Sequence, residues 1–339
     1  MRELAQELLA GQEAWVVGGA VRDALLGREV VDLDIACAQP EQAARGYAAT
    51  SGGAPFPLSE RHGAWRVALE NGRTVDFTPL HGSIEADLFT RDFTINAIAE
   101  PLAGGELVDP SGGREDLELR VLRAVTEEAF EADPLRLLRA VRLEDELNFH
   151  MAPLTEKLVR RHAALVTSPA GERILGELLR LSAGGYRRLA DVGLLQRLGG
   201  KVDERLDRSD SADYRLVAVF GANVEQFPIS NELQRYTRTL MRARPPANGS
   251  ARAIHRFRKR TEPWAHDALA FVGALEYASA VELAREADPD EPLLRGDELG
   301  LEPGPEIGRL LALVDEERAA GTIRTREDAL ELVQRELKQ

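Results

Sequence analysis

Every run that reads as a β-strand falls within the first 125 residues, and from about residue 126 the chain turns helical. Residues 14–17, 32–36, 65–69, 74–77 and 106–108 are short, apolar or alternating, and most lie near Gly, Asn or Pro. Gly52-Gly53, Asn71-Gly72, Gly104-Gly105 and Gly112-Gly113 mark turns between them. Beyond them Leu, Ala, Arg and Glu dominate at helical spacing, with breaks at Gly184-Gly185, Gly199-Gly200 and Pro245-Pro246. The fold class expected is α+β, a head with a small mixed sheet followed by an all-helical remainder. A chain of 339 residues exceeds one ordinary domain of about 100–200 residues. No stretch approaches the roughly 18–20 uninterrupted apolar residues of a spanning helix, and the charged N-terminal segment does not read as a signal peptide. The single cysteine, Cys37, excludes a disulfide framework and a cysteine-based zinc site and reads as a small buried residue. A cytoplasmic protein with no membrane partner is expected.

The segment 15–36, WVVGGAVRDALLGREVVDLDIA, carries the chemistry. Side chains alternate along a strand, so Asp32 and Asp34 share one face while Leu33 and Ile35 share the other. Two carboxylates on one face repel, and a divalent metal turns that repulsion into a ligand set. Hard Mg²⁺ prefers a few carboxylates with phosphate oxygens and water. The bland alternative is a charged strand end beside a loop. Gly18-Gly19 stand at a strand-to-helix turn, where backbone N–H groups can approach a phosphate, and Arg22 adds a cation in the first helical turn. No dinucleotide fingerprint and no P-loop occurs. Asp76, on the run 74–77, is a candidate third carboxylate for an in-line phosphoryl displacement.

The net charge of -14 hides a segregated distribution. Between 233 and 261 stand nine basic residues and no acidic one: Arg235, Arg238, Arg242, Arg244, Arg252, Arg256, Arg258, Lys259 and Arg260. Such a block suits a phosphate backbone, because each cation there displaces condensed counterions. The competing readings are a solvated helix face or pairing with the acidic tail.

GGAVRDALLGREVVDLDIA (18–36) resembles the signature of the class II tRNA nucleotidyltransferase and bacterial poly(A) polymerase family. Three further segments are similar to that family's motifs, in order. RDFTINAIA (91–99) resembles its ribose-recognition motif, DPLRLLRAVRL (133–143) its nucleobase-template motif and GERILGEL (171–178) its neck-stabilising motif. The resemblance implies a polymerase-beta-like nucleotidyltransferase head, then helical neck, body and tail. The boundaries expected for these four are 1–125, 126–185, 186–262 and 263–339. It also implies Gly19 and Arg22 at the triphosphate, Asp32 and Asp34 on Mg²⁺, and Arg91, Asp92 and Asn96 at the ribose. For Arg91 and Asp92 a surface ion pair is the plain alternative. CTP, ATP and the tRNA 3′ end are the implied partners, with tRNA contact in body and tail by residues such as Arg252, Arg256, Arg258, Lys259 and Arg260.

Asp133 and Arg136 are helix neighbours, and Arg139 and Arg142 continue the spacing as a cationic ridge. An arginine only donates and a carboxylate only accepts. An Arg–Asp pair held side by side therefore accepts cytosine and adenine and rejects uracil and guanine. Asp133 before Pro134 is also a good helix cap. One departure bears on the product. Only FTPLHGSIEADLFT (77–90) separates Asp76 from Arg91, where full CCA-adding members usually carry a longer loop. The short loop favours a CC-adding enzyme, which would leave the final adenosine to a separate A-adding enzyme. A full CCA-adding enzyme comes next, then an A-adding enzyme or poly(A) polymerase. Outside these stand a catalytically dead RNA-binding protein, a small-molecule nucleotidyltransferase, and an appended hydrolase at His266-Asp267.

Overall fold

The computed structural model describes residues 1–59, 63–80 and 82–338. The chain divides into two compact units, Met1–Gly199 and Gly200–Gln339.

The first unit is built on a six-stranded mixed sheet. Its strands are β1 (Ala14–Val17), β2 (Asp32–Cys37), β3 (Ala54–Ser59), β4 (Ala64–Ala68), β5 (Thr74–Pro79) and β6 (Ala99–Pro101), in the order β3-β4-β5-β2-β1-β6. Within this sheet β2 and β5 run parallel, and their register sets Asp34 beside Asp76. Leu33 and Ile35 are buried on one face, as the alternation requires. There helix α2 (Pro40–Ser51) covers the sheet and packs Tyr47 against Phe77, ring centroids 5.8 Å apart. The opposite face carries Asp32, Asp34 and Ala36. Ala36 belongs to an apolar cluster with Val17, Ile84 and Leu88, the last two from α3 (Ile84–Phe89). One end of that face is therefore sealed, and the aspartates stand at the open end.

The other helices that frame the site are α1 (Gly19–Leu25), α4 (Arg136–Leu147) and α5 (Gly171–Leu178). In α4 the apolar residues Leu137, Leu138, Val141 and Leu143 are buried, and the helix stops at Asn148 in the left-handed region. Every element of the second unit's described residues is helical, among them α6 (Asn231–Arg242), α7 (Ala251–Thr261) and α8 (Pro305–Ala319). The α+β class is as expected, and no described helix is long and apolar enough to cross a membrane.

Two strand assignments differ. The segment Ala54–Ser59 is a strand despite Pro55 and Pro57, because β3 is an edge and an edge tolerates residues that cannot donate. The run 106–108 forms no strand. Val108 makes a single bridge to Ala99, whose own segment is β6.

Gly113 opens the helix Gly113–Leu119 against the Thr94 backbone, where an added Cβ would lie 2.1 Å from the Thr94 carbonyl oxygen. Backbone cannot swing aside, so Gly113→Ala should destabilise the first unit by about 3 kcal/mol, the upper range for overpacking. Calorimetric unfolding measures this, and an unchanged melt would contradict the close packing.

Candidate active site

The β1–α1 turn depends on Gly18, at φ +70°. A Cβ there would stand 3.1 Å from Asp34 Oδ2 and 3.2 Å from Arg91 Nη1, so only glycine fits. All thirteen head and neck residues singled out from the sequence line one cleft of about 630 Å³. They come from β1–α1, β2, β5, the segment after α3, the turn before α4 (Asp133) and the first two turns of α4.

On the sheet face, Asp32 accepts from Thr74 Oγ1 at 2.8 Å. Burial first, then the facing charge of Asp76 and that of Asp32, push the Asp34 carboxyl up to about 6, against the pull of Arg91 and Arg66. Asp76 shares the row but is held by Arg66 through two bonds of 2.7 Å. Among the described residues no three His, Cys, Asp or Glu side chains gather as a metal cage. Asp32 and Asp34 are the free pair, and a divalent cation fits there because it would relieve their repulsion and find hard oxygen donors.

The remaining polar groups form one chain. Arg22 Nη1 donates to Asn96 Oδ1 at 2.8 Å, and Asn96 Nδ2 donates to Asp92 Oδ1 at 3.0 Å. Arg139 donates to Asp92 Oδ2 at 2.8 and 2.6 Å, and the Phe93 N–H closes on Oδ1 at 2.8 Å. Burial alone would raise the Asp92 pKa. The charge of Arg139 and the donors around it instead hold it down to about 2. Arg91 donates to the buried Asp87 of α3 at 2.9 and 3.2 Å. Arg136 donates to the carbonyls of Thr90 (2.7 Å), Arg91 (3.2 Å) and Ala129 (3.4 Å), and burial lowers its pKa. The ridge expected from Arg139 and Arg142 is turned inward. Arg139 binds Asp92, and Arg142 is buried against Glu177 and Glu146.

Asp133 Oδ1 accepts the Leu135 N–H at 3.2 Å, a local capping bond. Its carboxylate also takes Arg173 of α5. Arg66, Thr74, Asp87, Arg173 and Glu177 were not singled out from the sequence. Strand alternation beside Asp76 points to Arg66 and the i,i+4 spacing to Asp87; Arg173 and Glu177 fall in the segment GERILGEL and Thr74 in the run 74–77, but nothing in the sequence pairs them with Asp133, Arg142 and Asp32.

The second unit does not gather its five singled-out cations. Arg252, Arg256 and Arg260 line a cleft of about 980 Å³ with Arg238, Arg242 and Arg244, and no acidic side chain lines it. Arg258 and Lys259 lie outside it. Acidic residues of α8 take up much of α7's charge: Glu317 and Glu316 bind Arg252, Glu316 binds Arg256, and Asp315 binds Lys259. Arg258 is buried between Glu262 and Asp288. Arg235, Arg242 and Arg260 have no ion-pair partner among the described residues. Asp267, of the His-Asp pair, accepts from Ser209 and Tyr236. Cys37 is buried and its thiol is pushed up to about 11 by burial.

A paired-aspartate strand beside a glycine turn, with arginines converging across an open cleft, defines a nucleotidyltransferase head. Residues 14–81 and 61–123 match the poly A polymerase head domain. The chain is 48% identical to a CC-adding tRNA nucleotidyltransferase of Geobacter sulfurreducens over 50% of this chain and 40% of that protein. It is 46% identical to an A-adding tRNA nucleotidyltransferase of Deinococcus radiodurans over 54% of this chain and 44% of that protein. The match thus spans less than half the length of those two relatives. A CC-adding tRNA nucleotidyltransferase of Thermus thermophilus is 32% identical over 94% of this chain and 92% of its own length. The solved CCA-adding enzyme of Bacillus stearothermophilus in complex with CTP superposes with a TM-score of 0.79 at 25% identity, over 99% of this chain and 97% of that one. The chain belongs to the tRNA nucleotidyltransferase and poly(A) polymerase family.

The folded Asp34 pKa, about 6, lies above its ordinary 3.8. Its charge therefore costs stability as pH rises from about 4 through 6, and the full cost is felt above that. Asp34→Asn should stabilise the metal-free protein at pH 8 by about 1–2 kcal/mol, a value discounted for partial exposure. The gain should fade near pH 4. Unfolding in chelator across that range tests this, and equal stability at pH 8 would contradict it.

Proposed function

We propose that the protein adds nucleotides without a template to the 3′ end of tRNA, and that it adds the two cytidines. The observation that carries this reading is the pair Asp32–Asp34, which lines one cleft together with Arg22, Arg91 and Asp133–Arg136. The terminal 3′-hydroxyl attacks the α-phosphorus of CTP. A phosphorus–oxygen bond forms, the bond to the β-phosphate oxygen breaks, and pyrophosphate leaves. Gly19 and Arg22 hold the triphosphate, Arg91, Asp92 and Asn96 address the ribose, and Asp133 with Arg136 selects the base. Arg139 and Arg142 act by anchoring Asp92 and the neck. Mg²⁺ held by Asp32 and Asp34 would supply activation of the hydroxyl and neutralisation of the pyrophosphate. Asp76, paired with Arg66, borders this set.

The short segment 77–90 supports stopping at CC. Six of its residues are folded into α3. Asp87 ties that helix to Arg91, and Arg136 is bonded to the Thr90 carbonyl. Little length is left to reshape the base site for adenine, so a separate A-adding enzyme would complete the end. Full CCA addition is the second reading, favoured by the likeness to the CCA-adding enzyme over nearly the whole chain.

Incorporation on a tRNA transcript lacking its 3′ CCA, with Mg²⁺ and CTP, ATP or both, tests the reading. A stop at CC with both nucleotides present is expected. Full CCA would overturn the short-loop argument, and no incorporation would leave an RNA-binding protein without activity. Asp32→Ala should abolish transfer while tRNA binding persists.

RNA contact in the second unit is assigned to the cleft arginines that α8 leaves free. Arg242→Ala with Arg260→Ala should lower the slope of log affinity against log salt by about 2. Replacing Arg256 and Lys259, whose charges are compensated, should move it less. Equal slopes in both variants would refute the distinction.

A further inference from the structure

The base-selecting pair has a third member. Arg173, in the first turn of α5, meets Asp133 end-on, with Nη2 2.7 Å from Oδ2 and Nη1 3.3 Å from Oδ1. Both residues line the same cleft as Asp32, Asp34 and Arg136. Their side chains are 52% and 30% exposed. A half-exposed ion pair contributes at most about 1 kcal/mol to stability. Holding the neck together is thus a weak account of why this arginine is turned into the cleft.

The acceptor sites of Asp133 can be counted. A carboxylate offers about four lone-pair sites, two on each oxygen. Oδ1 accepts from the Leu135 N–H and from Arg173 Nη1, and Oδ2 accepts from Arg173 Nη2. One site remains, on Oδ2, and the plane of the carboxylate is fixed from two directions. Arg136 is held in a similar way. It spends three of its five N–H groups on the carbonyls of Thr90, Arg91 and Ala129, which leaves two donors. A base edge with one amino donor and one ring acceptor matches one fixed acceptor beside fixed donors. An edge of reversed polarity brings a carbonyl against the Oδ2 lone pair and an N–H against an arginine donor. A carboxylate free to rotate discriminates less, because either oxygen can turn away from the wrong base.

We propose that Arg173 is a positioning residue for nucleotide selection: it fixes Asp133 so that a single acceptor on Oδ2 is presented to the 4-amino group of cytosine. This rests on the reading of the protein as a CTP-using nucleotidyltransferase. Single-nucleotide incorporation with CTP or UTP on a tRNA transcript lacking CCA tests it, with equilibrium binding of each nucleotide measured in parallel. Arg173→Ala should lower the ratio of kcat/KM for CTP over UTP by about tenfold, in the range of one lost base contact. The loss should arise as weaker discrimination in KM and in binding, with kcat for CTP little changed. Arg173→Lys keeps a donor for Oδ2 and should restore part of the ratio. In an Asp133→Ala background the Arg173→Ala change should add nothing. Arg173→Met, which keeps much of the side-chain length and offers no N–H donor, gives the same reading should the alanine variant fold poorly.

An Arg173→Ala or Arg173→Met enzyme that selects CTP as well as the parent does would overturn the proposal. So would a loss of selection that persists undiminished without Asp133, which would make Arg173 act through the neck instead. A parent protein that incorporates no nucleotide would overturn the functional reading itself, so the two failures are distinguishable.

Discussion

The buried carboxylate of Asp92 is the contact on which the site hangs. It sits between Arg139 of the long helix α4 and Asn96 of its own segment, and Asn96 in turn holds Arg22. Removing a buried carboxylate from water is expensive unless its lone pairs are satisfied. Here the Arg139 charge, the Asn96 amide and the Phe93 N–H meet that need. The pair contributes stability above the ordinary carboxylate range, and the contribution is lost only as pH falls toward 2. Because Asp92 lies between Asn96 with Arg22 on one side and Arg139 of α4 on the other, the spacing between the β1–α1 turn and α4 is set by one hydrogen-bonded chain. Glu177 extends it, since its carboxylate meets Arg142 and lies 3.8 Å from Arg139.

The sheet face works by the opposite principle. Asp32, Asp34 and Asp76 share a face by register, and only Asp76 has an arginine of its own. The strain is concentrated on Asp34, the member packed between its neighbours. A site poised in this way gives up some folding free energy to keep an affinity for positive charge, as expected where function conflicts with stability.

The sequence is most informative where structure is local. Alternation puts Asp32 and Asp34 on one face and Leu33 and Ile35 on the other, and the structure has them so. The Gly18-Gly19 turn and the α+β order are legible for the same reason. Long-range pairing is not legible. Arg139 and Arg142 read as a free ridge because Asp92 and Glu177 lie 47 and 35 residues away along the chain. The basic block reads as an open cationic surface because Asp315, Glu316 and Glu317 come 56 to 65 residues later. Local pattern also fails at β3, where two prolines disguise a strand whose place at the sheet edge makes them harmless.

Those prolines have a consequence for association. An exposed strand edge is a row of unpaired donors and acceptors on which another chain can build. Pro55 and Pro57 remove two donors from β3, at one end of the sheet. At the other end β6 is only three residues long, and the Ala99–Val108 bridge already occupies part of it. The sheet is therefore blunted on both sides. A head of this kind resists edge-to-edge aggregation, and a partner must engage it through side chains, as a nucleotide in the cleft would.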